Sequence, residues 1–192
     1  MISPASTTYS YRPSALGAHW TFRLEGQALF WDAGRKSGRI PLRDIRRMRL
    51  SFKPTGTQST RFRLEIWSEG APKVELVSTS SKGIVEYERH DSAYRAFVVE
   101  LHRQLSLVND RVSFERGVNT TVYWLGFVVF VTTSLVAAIL IVRALEAQAW
   151  QAAGIVGAIA AVFFWQAGRY FRRNKPGRYH PDALPSEVLP QP

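Results

Sequence analysis

The sequence predicts an α+β protein: a small antiparallel β-barrel or sandwich of six or seven strands, closed by one amphipathic helix and followed by a two-helix transmembrane hairpin. Three observations predict it. Short segments with alternating apolar residues come first, one segment with helical periodicity follows, and two long uncharged runs come last. The 192 residues suit one modest domain with additions. Because the chain has no Cys, disulfides and thiolate metal sites are excluded.

The strands are predicted within residues 19–116, behind a Ser-, Thr-, Ala- and Pro-rich segment, residues 1–18, that we expect to be a disordered tail. Apolar and polar residues alternate most clearly in Trp20–Glu25, Arg47–Lys53 and Arg61–Ile66. In the second of these, Met48, Leu50 and Phe52 point to one face. The predicted strands are Trp20–Glu25, Ala28–Asp32, Ser37–Pro41, Arg47–Lys53, Arg61–Ile66, Lys73–Val77 and, with weaker alternation, Gly83–Glu88.

The period changes from two to 3.6 in Asp91–Asn109, which predicts one amphipathic helix. Asp91 or Ser92 is the expected N-cap. Seven strands at most and one helix favour a small barrel in which the helix plugs an open end. One face of the helix carries the apolar residues Tyr94, Phe97, Val98, Leu101, Leu105 and Val108.

Trp20–Phe52 contains a strand pair, a basic turn and the segment Ile40–Ile45 ahead of a charged strand. This arrangement resembles the opening of bacterial pleckstrin-homology-like (PH-like) domains, and with the terminal helix the likeness covers about residues 19–109. The resemblance implies a binding domain without a catalytic set, placed beside transmembrane helices. The helix lacks the Trp that phosphoinositide-binding relatives often have, so phosphoinositide recognition is not implied.

Residues 117–169 are predicted as a transmembrane hairpin with spans at about 121–142 and 149–168. Each span approaches or exceeds the roughly 20 apolar residues that cross a bilayer. The alternative, two buried helices of a soluble protein, is disfavoured because the preceding domain is too small to cover them. The second span is followed by a basic flank, which predicts that both termini are cytoplasmic and that the protein is a multi-pass protein of the bacterial inner membrane. The flank consists of Arg169, Arg172, Arg173, Lys175 and Arg178.

Two sets of residues are the candidate functional positions. The first is a dense basic cluster, which indicates either contact with anionic lipid headgroups or a merely solvated face. It comprises Arg35, Lys36, Arg39, Arg43, Arg46, Arg47, Arg49 and Lys53. The second is a ridge of small residues, Ala153, Gly157 and Ala161, which either docks the second span on the first or packs against another subunit.

The remaining segment, residues 170–192, is predicted to be a basic, proline-rich cytoplasmic tail that is disordered or serves as a docking peptide. No catalytic motif, metal-ligand spacing or cofactor motif occurs, and nucleic acid is a disfavoured partner. The sequence therefore predicts a non-enzymatic inner-membrane accessory protein whose cytoplasmic domain contacts anionic lipid or a protein partner. The alternative is an interaction subunit of a larger membrane complex, packed through the ridge.

Overall fold

The computed structural model describes residues 7–55, 59–82 and 87–191. The chain forms two compact units. We call the described parts of Met1–Gly117 and Gly177–Pro192 the β-sheet unit, and Val118–Pro176 the hairpin unit. The β-sheet unit is therefore assembled from two stretches of sequence that the hairpin unit separates.

The β-sheet unit has two larger sheets and a small one, which confirms the α+β class and the antiparallel sheets. The first sheet has the order β1-β2-β3-β4, the second has the order β11-β10-β5-β6-β7, and β8 pairs with β9. Every pairing is antiparallel except that of β10 with β5. The strands are β1 Thr7–Tyr11, β2 Trp20–Glu25, β3 Ala28–Asp32, β4 Ser37–Pro41, β5 Ile45–Thr55, β6 Ser59–Ser68, β7 Ala71–Val77, β8 Thr79–Ser81, β9 Tyr87–Arg89, β10 Ser113–Arg116 and β11 Gly177–Arg178.

Within the described residues, the two larger sheets do not close into a barrel. Two tyrosine hydroxyls bridge them instead of a backbone ladder: Tyr9 donates to the Val77 carbonyl oxygen at 2.6 Å and Tyr11 to that of Glu75 at 2.7 Å. These bonds satisfy carbonyl groups on β7, the last strand of the second sheet, where unpaired groups would otherwise invite further strand pairing. The predicted barrel is thus replaced by two open sheets joined through side chains.

One amphipathic helix, α1 (Asp91–Val108), covers this core and matches the predicted segment. Tyr94, Phe97, Val98, Leu101 and Leu105 are buried, each at most 1% exposed. The N-cap is His90 rather than Asp91 or Ser92, and its side chain makes no capping bond. Beyond the C-terminus of the helix, Asn109 donates through Nδ2 to the carbonyl oxygens of Leu42, Arg43 and Ile45 at 2.9–3.0 Å. This amide fastens the helix to the connection between β4 and β5.

Two predictions about the chain ends differ from the structure. Residues 7–11 form β1 instead of a disordered tail, because the alternation in Thr-Tyr-Ser-Tyr places Tyr9 and Tyr11 in the core; residues 1–6 lie outside the described part. The segment predicted as a C-terminal tail also packs, since Val188 and Leu189 are 1% and 2% exposed. Pro residues allow this because an extended segment can bury apolar side chains without a ladder of its own. Most of the predicted strand Gly83–Glu88, residues 83–86, lies outside the described residues.

The hairpin unit contains α2 (Thr120–Glu146) and α3 (Trp150–Arg173), both long and apolar enough to cross a membrane. Asn119 caps α2 by accepting from the Thr121 amide at 2.9 Å. Ser134 donates back to the Phe130 carbonyl oxygen at 2.6 Å, so this hydroxyl is satisfied within its own helix. The two helices pack through aromatic rings, with the Phe130 centroid 5.7 Å from Phe163 and 5.4 Å from Phe171.

Candidate functional site

The predicted basic cluster is distributed over both larger sheets. Arg35, Lys36 and Arg39 lie on the turn between β3 and β4 and on β4 itself, and we call them the turn cations. Arg43 lies on a 3₁₀ turn, Leu42–Asp44. The remaining members, Arg46, Arg47, Arg49 and Lys53, lie on β5 in the second sheet. A run that is dense in sequence therefore separates into two groups, because β4 and β5 belong to different sheets.

Carboxylates neutralise part of the β5 group. Arg46 donates through Nε to Glu69 at 2.7 Å, and this hydrogen bond lowers the pKa of the Glu69 carboxyl group. Arg49 binds the Glu115 carboxylate through Nε at 3.0 Å and through a terminal nitrogen at 2.6 Å. Glu115 is on β10, about 66 residues away in sequence, so only strand pairing brings it to Arg49.

An outward tryptophan holds the other cations of this face. The Arg47 guanidinium lies 4.0 Å from the centroid of the Trp67 ring, Arg49 lies at 5.3 Å, and Lys73 Nζ lies at 5.7 Å. Lys73 also pairs with Glu65 at 2.7 Å. Trp67 was not among the predicted site residues, because its position opposite Arg47 follows only from the β5–β6 register. The outer face of the second sheet is thus largely self-paired, which leaves little charge for a ligand.

The turn cations have a different setting. The turn is tight: the Ala33 amide donates to the Lys36 carbonyl oxygen at 2.8 Å, the Gly34 amide donates to the Asp32 carboxylate at 2.7 Å, and Gly34 has φ of 80°. All three turn cations are exposed. Within the part of the chain that the structure describes, none of the three belongs to an ion pair. They are the members of the predicted cluster best placed to meet an external anion.

The ridge of small residues on α3 divides between two sides of the helix. Ala153 is 8% exposed and Gly157 is half-buried, whereas Ala161 is exposed. Ala160 is buried in its place, at 8% exposure. The reason is geometric: a spacing of four residues drifts by about 40° per step, while a spacing of seven nearly returns to the same side. The buried pair serves the packing of α3 on α2.

His102 lies on the buried face of α1, at 1% exposure. Its Nδ1–H donates to the Val98 carbonyl oxygen at 2.7 Å, so Nε2 accepts from the Tyr179 hydroxyl, also at 2.7 Å. Burial lowers the pKa of His102 to about 4. The ring is thus a neutral core histidine with both nitrogens hydrogen-bonded. Across residues 7–55, 59–82 and 87–191, no group of three His, Cys, Asp or Glu side chains could hold a metal ion.

No protein-family model, curated protein or solved structure matches this chain. The likeness to PH-like domains therefore stays a prediction from residues 19–109.

Proposed function

We propose that the chain is a non-enzymatic accessory protein of the bacterial inner membrane. The hairpin unit crosses the bilayer twice, and the β-sheet unit is a PH-like domain held on the cytoplasmic side. There the turn cations contact anionic lipid headgroups. The observation that carries the proposal is the combination of two exposed apolar helices with a basic turn outside any ion pair among the described residues.

The exposure of the helices supports the membrane assignment. Leu135 is 61% exposed and Ile159 is 66% exposed, in the company of many similar side chains along both helices. An aqueous protein rarely leaves such a continuous apolar surface uncovered. A bilayer covers it, and backbone polar groups are already satisfied within each helix.

The chain path supports a crossing in two spans. The chain leaves the β-sheet unit after β10 and returns to it at β11, and these strands pair, with Arg116 opposite Gly177. An even number of crossings is what returns a chain to the side it left. The last turn of α2, before the short connection between the helices, holds Arg143 and Glu146. The end of α3 and the residues after it hold several Arg, which favours a cytoplasmic β-sheet unit.

A second candidate function is that of an interaction subunit in a larger membrane complex. Gly154, Ala158 and Ala161 are exposed on α3, and such small side chains permit close approach of another helix. Replacing Ala161 with Ile would then prevent co-purification of the partner, whereas Ala160→Ile would disturb the hairpin itself.

The lipid contact is tested on the full chain in nanodiscs of phosphatidylcholine, with and without phosphatidylglycerol. Among the turn cations, only Lys36 carries an amine that an acylating reagent modifies. Its acylation rate, measured by mass spectrometry, therefore reports whether the turn contacts lipid. We expect anionic lipid to slow modification of Lys36 several-fold relative to Lys82, and added salt to abolish the difference. Equal rates in neutral and anionic discs would contradict the proposal.

A further inference from the structure

The outward face of the first sheet contains a groove of about 580 Å³. Strand register builds it in rows: Arg23 lies opposite Phe30, and Phe30 lies opposite Arg39. The next row outward contains Thr21, Asp32 and Ser37, all of which line the groove. Because side chains alternate along a strand, both rows point away from the core residues of the same strands.

Two guanidinium groups converge on one ring in this groove. The Arg23 guanidinium lies 5.5 Å from the Phe30 centroid, and the Arg39 guanidinium lies 5.8 Å from it. Their backbones are two strands apart, about 10 Å, so both side chains lean inward over the strand between them. Like charges that converge repel each other, and an anion held between them removes that repulsion.

The charged groups around the groove are compatible with a bound anion. Glu25 pairs with Arg23 at 3.1 Å, but both side chains are more than half exposed, so a stronger acceptor can displace this pair. The Asp32 carboxylate is engaged by the Gly34 amide. Arg39 is outside any ion pair of the described residues, and the adjoining turn adds Arg35 and Lys36.

We propose that Arg23 and Arg39 form, on either side of Phe30, a binding site for the phosphate group of an ester. Each guanidinium offers a planar pair of donors that matches phosphate oxygens. The hydroxyls of Thr21 and Ser37 supply further donors at the rim. The Phe30 ring forms an apolar floor for the carbon chain of the ester. The phosphate can belong to a lipid headgroup or to a soluble ester, and only the lipid source rests on the function proposed above.

The test uses the full chain in a neutral maltoside detergent with two probes. Glycerol 3-phosphate, titrated by calorimetry, represents the soluble ester. Phosphatidylglycerol represents the lipid headgroup, with phosphatidylcholine as the neutral comparison. Native mass spectrometry measures how much of each lipid the protein retains. We expect R23Q and R39Q each to weaken binding about tenfold or more. R43Q is the matched control, because it removes the same charge from a side chain that is 83% exposed and outside the groove lining; we expect at most a twofold change.

Binding of glycerol 3-phosphate that R23Q and R39Q weaken assigns the site to a soluble ester. Binding of phosphatidylglycerol alone, with the same dependence, assigns it to a lipid. The proposal is overturned if neither probe binds, or if R43Q weakens binding as much as R23Q does. Lys36 protection that persists in R23Q would leave the proposed function standing without this site. Unchanged melting temperatures of the variants confirm that any loss is not a loss of fold.

Discussion

The two units place the same kinds of apolar side chain in opposite environments. In the β-sheet unit, Leu64 and Ile66 are fully buried. In the hairpin unit, Leu135 and Ile159 are more than 60% exposed. The β-sheet unit thus buries these apolar side chains in its own core, whereas the hairpin unit leaves them uncovered. Under the membrane function proposed above, the two units require different solvents.

The strongest test of this comparison separates the units. Replacing residues 117–176 with Asn-Gly joins Arg116 to Gly177, which already face each other in an antiparallel pair, through a two-residue hairpin turn. We expect a protein that stays monomeric without detergent and unfolds cooperatively. Size-exclusion chromatography measures the oligomeric state, and thermal melting measures the cooperativity of unfolding. Aggregation after detergent removal would show that the β-sheet unit does not bury its apolar surface by itself.

Removing residues 177–192 is expected to destabilise the β-sheet unit by about 3–6 kcal/mol, because burial of Val188 and Leu189 contributes about 1.5–3 kcal/mol each. Loss of the hydrogen bond between Tyr179 and His102 adds to this. Since small domains have about 5–15 kcal/mol in total, the truncated chain should melt far lower or lose its cooperative transition. A melting temperature equal to that of the full chain would show that the C-terminal segment is dispensable.

A matched pair of substitutions by Arg tests whether α2 lies in a bilayer. Leu107 on α1 and Leu135 on α2 are 73% and 61% exposed, so a folded protein in water would tolerate Arg at either position. In a bilayer, L135R should cost about 2.5–3.5 kcal/mol of insertion free energy. Inserted fractions from a glycosylation-mapping assay measure it. L107R is the control, and equal behaviour of the two variants would contradict a membrane around α2.

The buried histidine predicts an acid-sensitive core. The pKa of His102 is about 4 in the folded protein and about 6.5 when unfolded, so between these values the unfolded state binds more protons. The free energy of unfolding should therefore fall as pH decreases from 6.5 to 4, by about 3 kcal/mol from this group. Denaturant titrations across this window measure the fall. H102Q should lack this contribution, and an identical pH slope in H102Q would refute it.

The smallest expected effects are on the free energy of unfolding when a buried tyrosine hydroxyl is removed. They have opposite signs at Tyr94 and Tyr9. The Tyr94 hydroxyl is buried without a hydrogen-bond partner among the described residues, so Y94F should stabilise the β-sheet unit by about 1 kcal/mol. The Tyr9 hydroxyl donates to Val77, so Y9F should destabilise it by about 1–2 kcal/mol. Chemical denaturation measures both, and shifts of equal sign would contradict the hydrogen-bond assignment.

Local patterns in the sequence were sufficient for most elements. Alternation around Met48 and Leu50 predicted β5, and the 3.6-residue period predicted α1 to within one residue at its end. Neither required knowledge of a distant partner, because each period records which face of one element is buried.

The candidate site was harder to predict, because pairing between strands far apart in sequence determines which of its charges are neutralised. Sequence proximity grouped Arg39 with Arg49, yet the first leans over Phe30 and the second is held by Glu115. Arg23 was not considered, since its relation to Arg39 exists only through the register of three strands.

By itself, the sequence determined the two long apolar helices, the amphipathic helix and the main strands of the β-sheet unit, because backbone geometry and burial leave a periodic record along the chain. The tertiary structure alone decided that residues 7–11 and 177–190 complete that unit, that tyrosine hydroxyls join its sheets, and which cations are already paired. Those outcomes depend on contacts between residues far apart in sequence, and the energy of such contacts leaves no local period.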